Sequence, residues 1–516
     1  MIKTAVKTGM SIVKEGKAEI VGGEKVFYNH IQQFNRDLSV MVIQSWYKKY
    51  GHTLNKKRDA TGEQPSNFIN ILEALSATGL RSIRYAKEIE HVNKVVANDL
   101  LAEAVKLIDE NVEHNQLGDK VKSNCGDAIK YMSSTNQKFH VVDLDPYGTA
   151  APFIDSALQC VKDEGILLVT CTDAGVLAGS GYPEKCYALY GGHNFGNTLI
   201  GSESNHEVGI RLILQSIAST AAKYKKTIEP LLSLSIDYYF RVFVKVKTSA
   251  FDVKELASNT MLTYHCTGCG DKHNQHMGRR VKTEKSYKYQ TPKLVNVGSR
   301  CPYCESTYNL AGPMYGGRIH NREFVKQVLS VNASCDKDVY HTSERIKGML
   351  TLALHELELP FYFNLNQLSS FFKSPPISIN EFSKALGNLG YKLSLTHAKK
   401  NCIKTDAPWN VILDINKQWL IKKNNELIAD YDAGNLTKTD KLTAKIDVLR
   451  QDPSTNLNLN PNMIGYKILK NLNSDTTVDF DTDNEESDKM KHLRKLKMVR
   501  YQENPKNWGP KARPPT

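Results

Sequence analysis

Residues 68–86 read FINILEALSATGLRSIRYA, and this stretch decides the fold. The apolar run that ends at Glu73 predicts a buried strand, the small residues up to Gly79 predict a turn, and the residues from Leu80 onward predict a helix. A nucleotide-binding βα unit requires a strand, a turn and a helix in this order. Of the three glycines in a GxGxxG pattern, only Gly79 is present, so the motif alone is weak evidence for a cofactor-binding turn. The spacing of the later strands provides further support for this interpretation.

Three further apolar strands come after this unit, and each leads into a carboxylate. Asp99 follows residues 95–98, Asp127 follows residues 121–126, and Asp145 follows residues 141–144. Because the carboxyl ends of parallel strands share one edge, where ligands bind, we expect these acids and Glu73 to lie together. Asp99 is placed to accept from a ribose diol, and Asp127 is placed to accept from an adenine amine.

The fourth strand runs into Asp145-Pro146-Tyr147-Gly148, a loop typical of amino-group methyltransferases. An exocyclic arylamine is a weak nucleophile because its lone pair is delocalised into the ring. Asp145 can accept one N–H and Tyr147 offers a face for stacking, which together aim the lone pair at a methyl group. The alternative is a plain strand followed by a Pro-Gly turn. An NAD-dependent dehydrogenase would carry the full glycine fingerprint, so S-adenosylmethionine is the better cofactor.

Three motifs together resemble the tRNA (guanine26-N2)-dimethyltransferase family, in particular a eukaryotic, fungal-type member. They are EALSATGLRSIR at residues 73–84, DLDPYG at residues 143–148, and Phe27-Tyr28-Asn29 with Asn35-Arg36-Asp37. The resemblance spans most of residues 18–470. It implies a Rossmann-like class I methyltransferase of the α/β class that transfers two methyl groups in turn from S-adenosylmethionine to N2 of guanosine 26 in tRNA.

The resemblance also implies roles for individual residues. Cofactor contacts are expected at Arg36, Arg81, Asp99, Asp127 and Ala128, to which the strand pattern adds Glu73. Asp145 is expected to be the catalytic acid residue, with Tyr147 and Phe27 on either side of the base. From its residue type alone, Phe27 is as compatible with a plain core position as with a wall for a flipped base.

Two CxxC knuckles, Cys266-Thr-Gly-Cys269 and Cys301-Pro-Tyr-Cys304, predict a zinc ribbon. Each knuckle lets two thiolates reach one tetrahedral metal, and four cysteines leave no open position for catalysis. The zinc is therefore expected to be structural. The loop between the knuckles is rich in lysine and arginine, which is compatible with a flap that contacts phosphates and also with a merely solvated face.

The composition favours a polyanionic partner, with a formal net charge of +13 and a pI of about 9.0. We expect tRNA as the partner, no integral membrane span, no obligate protein partner and a monomer. The ten cysteines are sparse for 516 residues, which is typical of a reducing compartment.

Composition shifts divide the chain into a methyltransferase domain at 1–250, a zinc-ribbon segment at 251–318, a C-terminal tRNA-binding domain at 319–470 and a tail at 471–516. In the third part, two short helices within 365–389 and two strands at 391–397 and 409–413 predict an α+β winged-helix-like module. Lys399, Lys400 and Lys404 on its wing favour RNA as the ligand.

The tail is segregated by charge. Residues 475–488 are acidic and predict a disordered linker, and residues 489–516 are basic and favour a segment for nuclear targeting and RNA binding. The expected location is the nucleus, with the mitochondrion as a further location. Two alternative functions stay open at this point, an amino-methyltransferase on another nucleic acid and a tRNA-binding or folding protein that acts independently of methylation.

Overall fold

The structure is a computed structural model that describes residues 11–22, 28–54, 67–473, 476–496 and 499. Its strands are β1 (Ser11–Glu15), β2 (Ala18–Gly22), β3 (Ile69–Glu73), β4 (Val92–Asp99), β5 (Val121–Cys125), β6 (Phe139–Leu144), β7 (Val161–Cys171), β8 (Lys226–Ile236), β9 (Tyr239–Thr248), β10 (Thr260–Cys266), β11 (Lys272–His276), β12 (Arg279–Lys282), β13 (Tyr287–Gln290), β14 (Tyr308–Tyr315), β15 (Phe363–Asn364), β16 (Leu393–Leu395) and β17 (Cys402–Thr405).

Its helices are α1 (Gln33–Leu54), α2 (Leu80–Glu88), α3 (Ala102–His114), α4 (Ala128–Ser134), α5 (Ile154–Cys160), α6 (Ala174–Leu177), α7 (Pro183–Tyr190), α8 (Asn205–Lys223), α9 (Arg322–Ala333), α10 (Ser343–His355), α11 (Leu365–Phe371), α12 (Ile379–Asn388), α13 (Trp409–Asp432), α14 (Asp440–Gln451), α15 (Ile464–Asn471) and α16 (Glu485–Lys495). Among the described helices, none is long and apolar enough to cross a membrane.

A seven-stranded sheet forms the centre of the molecule, with strand order β5-β4-β3-β6-β7-β9-β8. Strands β3 to β7 run parallel, whereas β9 runs antiparallel to both β7 and β8. The predicted strand-turn-helix at 68–86 is confirmed as β3 and α2, and the antiparallel pair of β9 and β8 completes one side of the sheet. The result is a mixed α/β, Rossmann-like sheet.

Alternation along the central strands divides the apolar side chains between two cores. Ile71 and Val141 face a core formed with α1, α2 and α3, whereas Leu72 and Val142 face a core formed with α4, α5 and α8. A parallel strand buried on both faces reads as a continuous apolar run, which is why the sequence of β6 was informative.

Helices α9 and α10 belong to the first of these cores. Phe324, Val328, Ile346 and Leu350 are buried together with residues of α1 and the sheet. These helices, which follow the predicted boundary at residue 319, therefore pack into the same core as one face of the central sheet. Helical periodicity showed that these helices exist, but it could not show which apolar surface they cover.

The cysteine-containing segment forms a small sheet of its own, with strand order β11-β10-β14, and a separate hairpin of β12 and β13. Cys266 ends β10, and Cys301 and Cys304 precede β14. All four cysteines are buried within the same apolar cluster as the C-terminal helices. This segment therefore packs between the catalytic sheet and the C-terminal part.

The C-terminal part has two short helices, α11 and α12, beside a three-stranded sheet with order β15-β17-β16. The two short helices are as predicted, and Ser378 and Glu381 form a capping box at the start of α12. The prediction of a strand at 409–413 is wrong, because Trp409 begins the 24-residue helix α13. Pro408 takes the position before the first helical turn, where a proline interrupts no helical hydrogen bond.

The acidic segment is also different from its prediction. Within 476–496, Phe480 is buried against Trp419, with ring centroids 5.2 Å apart, and α16 packs on α12. Asn484 and Ser487 form a capping box that starts α16. Low mean hydropathy predicted disorder here, but a single phenylalanine and the apolar side of α16 anchor the segment. Residues 500–516 of the predicted basic tail lie outside the described residues.

Candidate active site

The predicted strand-end acids lie at one edge of the central sheet. Glu73 pairs in register with Ala97 of β4 and with Asp143 of β6, and Asp99 pairs with Cys125 of β5. Asp127 follows β5 by two residues, and Asp145 directly follows β6. The prediction that these four acids lie at one edge of the sheet is therefore confirmed.

The turn between β3 and α2 is held by the neighbouring strand. Asp99 Oδ2 accepts a hydrogen bond from the backbone N–H of Ala77 at 2.9 Å, and the N–H of Ser76 donates to the carbonyl of Asn98 at 2.8 Å. Gly79 has φ of 75°, and a Cβ there would lie 3.2 Å from the Ile108 side chain. Glycine is needed at this position for both its backbone conformation and the close packing on α3.

Glu73 lies below this turn and is 3% exposed. Its Oε2 accepts from Ser76 Oγ at 2.9 Å, from the N–H of Ser82 at 3.0 Å and from Ser82 Oγ at 2.5 Å. Burial raises the pKa of Glu73 to about 7, against the lowering effects of Arg81 and Ser82. Through these hydrogen bonds, the Glu73 carboxylate connects the β3–α2 loop to the start of helix α2.

Arg81 connects three of the acids. Its guanidinium forms ion pairs with Asp145, with Asp143 at 3.6 Å and with Glu73 at 3.6 Å. Arg241 approaches Asp143 from β9 at 2.8 Å. Burial alone would raise the pKa of Asp143, but the two guanidinium groups outweigh it and hold that pKa below its usual value.

The loop after β6 places its aromatic residue at the surface. Tyr147 is 82% exposed, whereas the Asp145 side chain is 22% exposed. Gly148 is tied to β7 by two bonds, in which its N–H donates to Thr172 Oγ1 at 2.7 Å and its carbonyl accepts from the N–H of Thr172 at 2.8 Å. The loop thus presents a carboxylate and an exposed aromatic side chain from a fixed backbone.

A second set of bonds fixes the far end of this loop, and the sequence did not indicate it. Tyr190 Oη lies 2.7 Å from Thr149 Oγ1 and donates to the Asp173 carboxylate, at 3.0 and 2.9 Å from its two oxygens. Asp173 lies two residues after the end of β7. Tyr190 comes from α7, for which no motif in the sequence gave a signal.

The two predicted cofactor acids on the outer strands differ from Asp143 in exposure. Asp127 is exposed and caps α4 by accepting from the N–H of Lys130 at 3.0 Å, and Asp99 is partly exposed. Leu100 and Leu101, directly after Asp99, are 66% and 61% exposed. Carboxylates that are partly or fully exposed, beside exposed leucine side chains, fit the ribose and adenine of a nucleoside cofactor.

Arg36 is engaged by the N-terminal hairpin. Its Nε donates to Glu15 Oε1 at 2.7 Å, and its Nη2 donates to Glu15 Oε2 at 2.5 Å and to the carbonyl of Asn29 at 2.9 Å. Arg84 approaches the same carboxylate at 2.7 Å. These bonds fix the start of α1 beside Tyr28. Phe27 lies outside the described residues.

The four cysteines converge as the spacing predicted. Cys266 Sγ lies 3.3 Å from Cys304 Sγ, and Cys269 Sγ lies 3.5 Å from Cys301 Sγ. Each residue is at most 1% exposed. All four sulfur atoms lie within 4.8 Å of one another, which fits a closed tetrahedral thiolate site.

A second buried group joins the catalytic sheet to the C-terminal part. The Glu356 carboxylate lies 2.7 Å from His397 Nδ1, 2.9 Å from Lys404 Nζ and 3.6 Å from His320 Nε2. Lys404 also pairs with Glu207 of α8 at 2.8 Å and is 1% exposed. Lys404 was predicted to favour RNA from the wing, but its ammonium group is buried between two carboxylates. Lys399 pairs with Glu203 at 2.7 Å.

Known proteins are similar to this chain in sequence and in fold. The sequence model of the N2,N2-dimethylguanosine tRNA methyltransferases matches residues 8–417. The chain belongs to this family.

Two fungal relatives match nearly the whole chain, and a human relative matches about four fifths of it. The mitochondrial tRNA (guanine(26)-N(2))-dimethyltransferase of Saccharomyces cerevisiae is 47% identical, over 98% of this chain and 92% of its own length. The tRNA (guanine(26)-N(2))-dimethyltransferase of Schizosaccharomyces pombe is 39% identical, over 99% and 94%. The human protein of the same name is 36% identical, over 79% of this chain and 68% of its own length.

Among solved structures, Trm1 from Pyrococcus horikoshii in complex with S-adenosyl-L-methionine is 28% identical, with a TM-score of 0.63. It covers 78% of this chain and 99% of its own. The predicted resemblance to a fungal-type member of this family is confirmed.

Proposed function

We propose that this chain transfers two methyl groups in turn from S-adenosylmethionine to the exocyclic N2 of guanosine 26 in tRNA. The observation that carries this proposal is the loop after β6. This loop has a partly exposed Asp145 and an exposed Tyr147, and it lies at the same edge of the sheet as Asp99. An amine acceptor and a stacking surface beside a nucleoside site are what methylation of a base requires.

Asp145 orients the amine in this mechanism. Its carboxylate accepts one N–H of the guanine amine, which directs the nitrogen lone pair toward the methyl donor. The guanidinium of Arg81 contacts the same carboxylate and keeps it in place as an acceptor. As the new N–C bond forms, the amine loses a proton, and Asp145 is the group in reach to receive it.

The base is held by aromatic faces. Tyr147 stacks on one face of the guanine from its fixed loop, and Phe27 covers the other face. After the first transfer, N2 still carries one N–H, so the same carboxylate can orient the amine for the second transfer. The stacked position of the ring does not change between the two steps.

The cofactor lies along the ends of β3, β4 and β5. Asp99 accepts from the ribose hydroxyls, Asp127 accepts from the adenine amine, and Ala128 packs beside the adenine. Arg81 lies at the charged amino-acid end, and Glu73 supports it by holding the turn. Arg36, which is bonded to Glu15, acts at this end by fixing the start of α1. When bound, the cofactor supplies an electrophilic methyl group on a sulfonium ion.

The accessory parts serve binding and cohesion. The four cysteines hold a structural zinc ion in a ribbon-like module. The C-terminal part, which follows the ribbon in sequence, binds tRNA. It contains a winged-helix-like module formed by α11 and α12 with β15, β16 and β17. The chain acts as a monomer in the mitochondrion and, through its basic end, in the nucleus.

Two substitutions separate the chemistry from cofactor binding. Asp145→Asn removes the carboxylate acceptor and should lower the turnover rate by roughly 10²- to 10⁴-fold while cofactor affinity changes little. Asp99→Ala leaves the ribose hydroxyls without an acceptor and should weaken cofactor binding by about 1–3 kcal/mol. Methyl transfer from labelled cofactor to purified tRNA, with nuclease mapping of the product, and calorimetry with the cofactor measure the two effects.

Asp109→Ala is the matched control, because Asp109 is an exposed carboxylate on the outer side of α3. It should change neither quantity. If Asp145→Asn lost cofactor affinity and Asp99→Ala lost turnover at saturating cofactor, the assignment of the strand ends would be wrong. Methylation of a different nucleic acid in place of tRNA would support the alternative enzyme.

A further inference from the structure

Helix α7 carries exposed aromatic side chains beside the catalytic loop. Tyr187 is 51% exposed, and Tyr182, directly before the helix, is 53% exposed. Within the helix, Cys186 and Tyr190 are buried. Tyrosine is intermediate in its tendency to be buried, and neighbouring exposed aromatic side chains can form a binding surface, so this helix is a candidate for contact with a partner.

The surface is held rigidly. The ring of Tyr187 stacks on His193, with centroids 4.9 Å apart and planes inclined by 29°. His193 is bonded to Gly312 of β14 in both directions, at 3.1 Å and 2.8 Å between N and O. A Cβ on the neighbouring Gly192 would lie 2.4 Å from the carbonyl oxygen of Pro313, so the backbone approaches β14 closely here.

The same helix is bonded to the catalytic loop. Tyr190, one turn after Tyr187, contacts both Thr149 and Asp173 through its hydroxyl group. Thr149 lies four residues after Asp145 and two after Tyr147. Helix α7 is therefore anchored, through the buried Tyr190, to the loop that carries Asp145 and Tyr147.

We infer that Tyr182, Tyr187 and His193 form a docking surface for an unpaired nucleobase of the RNA that lies next to the target guanosine. This inference rests on the proposed function, because it assumes that the target base enters beside Tyr147. Removing a base from a stack leaves its neighbours with open faces, and protein aromatic rings commonly cover such faces.

Helix α7 has one acidic residue, Glu184, and one basic residue, Lys185, so a phosphate contact depends on the position of Lys185 and not on the charge of the whole helix. Lys185 is exposed between the two tyrosines, and its charge acts to lower the pKa of Asp173, which burial raises. An exposed ammonium group at this position is available to a phosphate of the bound RNA. A protein partner would be expected to bury the tyrosines in an apolar interface without a salt-dependent contribution from this lysine.

The test compares stacking with phosphate contact in the full-length protein. For Tyr187→Ala we expect tRNA binding to weaken by roughly 5- to 100-fold, the effect of losing one stacked base. The slope of log affinity against log salt should not change, because no cation is lost. Turnover at saturating tRNA should stay within about twofold of the unchanged protein, and Tyr187→Phe should bind normally.

Lys185→Gln gives the complementary pattern. Binding should weaken at low salt, and the salt slope should flatten by roughly 0.7–0.9, the value for one phosphate contact. Phe251→Ala is the matched control, because Phe251 is 46% exposed but follows the end of β9 that lies opposite the catalytic edge. It should not affect tRNA binding.

A fluorescent base reports the contact directly. With 2-aminopurine beside the target guanosine in tRNA, binding should quench its emission, and Tyr187→Ala should reduce the quenching while Tyr187→Phe retains it. If Tyr187→Ala fails to fold, as judged by circular dichroism, Tyr182→Ala tests the same surface from the segment before the helix. Unchanged affinity and quenching in both folded variants would overturn the inference. Methylation by the unchanged protein is measured separately, so failure of the proposed function is distinguishable.

Discussion

The four cysteines and the group of His320, Glu356 and His397 both bring metal-ligand atoms within 4.8 Å of one another. Both groups are buried, but they differ in what their lone pairs already bind. The four sulfur atoms face one another. In the second group, His320 Nδ1 accepts from the N–H of Ser233 at 3.3 Å, and His397 Nε2 accepts from the N–H of Ser235 at 3.2 Å.

This difference indicates which group is compatible with a metal ion. A neutral imidazole that binds a metal through one nitrogen carries a proton on the other, and that proton cannot face a backbone N–H. Because Ser233 and Ser235 donate from the outer edge of β8, each imidazole must direct its own N–H toward Glu356. The second group is therefore an ionic junction between the sheet edge and the C-terminal part. Closeness of ligand types alone does not define a metal site.

The largest expected effect is at the cysteines. Purified protein should carry about one zinc ion per chain, and Cys266→Ser or Cys301→Ser should lose it. Thermal stability should fall sharply, since metal binding contributes folding free energy in such modules. Elemental analysis and thermal unfolding with and without a chelator measure this. His397→Gln is the comparison variant and should leave the zinc content unchanged; loss of zinc there would refute the distinction between the two groups.

The next largest effect is expected at the junction. Glu356→Gln removes the charge that Lys404 and His397 face inside the protein, where Glu356 is 2% exposed. Leaving the Lys404 ammonium with Glu207 as its remaining carboxylate partner should lower the free energy of unfolding by about 3–5 kcal/mol. Chemical denaturation measures the change, and added zinc should not reverse it. Glu358→Gln, at a partly exposed site nearby in the chain, should change stability far less.

The smallest effect concerns pH. Burial lowers the pKa of His320 from its usual value of 6.5, and Lys404 and His397 act in the same direction against Glu356. The folded protein then binds fewer protons than the unfolded chain, so stability is fully present above pH 6.5 and falls as the pH decreases below it. His320→Gln keeps an acceptor for Ser233 but does not titrate.

The expected result for His320→Gln is a smaller acid loss, by about 1 kcal/mol for each unit of pKa shift removed. Urea denaturation at a series of pH values from neutral down to mildly acidic measures it. His341→Gln is the control, because His341 is exposed. An acid loss that disappears on adding zinc would indicate that a metal, and not a neutral imidazole, holds this junction.

The two groups also differ in how far the sequence indicates them. CxxC spacing limits how far two thiols can separate, so the cysteine cluster could be predicted from local sequence. His320, Glu356 and the pair His397 and Lys404 come from three separate parts of the chain, and no sequence motif connects these parts. The wing lysine Lys404 looked like an RNA contact because sequence shows charge but not burial.

The edge of the sheet that carries Glu73, Asp99 and Asp145 shows the same contrast between residues that local sequence connects and residues that only the fold brings together. Apolar runs that end in Glu73, Asp99 and Asp145 sufficed to predict the parallel strands and their shared edge, because strand direction and a short turn leave few alternatives. The role of Tyr190 in holding Thr149 could not be predicted. A tyrosine at the end of an eight-residue helix has no distinguishing pattern, and its partner lies forty-one residues away.

By itself, the sequence determined the Rossmann-like sheet, the catalytic loop and the cysteine knuckles, because each depends on residues within one or two elements. Only the tertiary structure decided that Glu73 and Arg36 bind within the protein, that Trp409 begins a helix, and that residues 476–496 pack on α12 and α13. These outcomes depend on which surfaces meet. Burial and competition for hydrogen-bond partners are set by the whole fold, and a local pattern does not contain them.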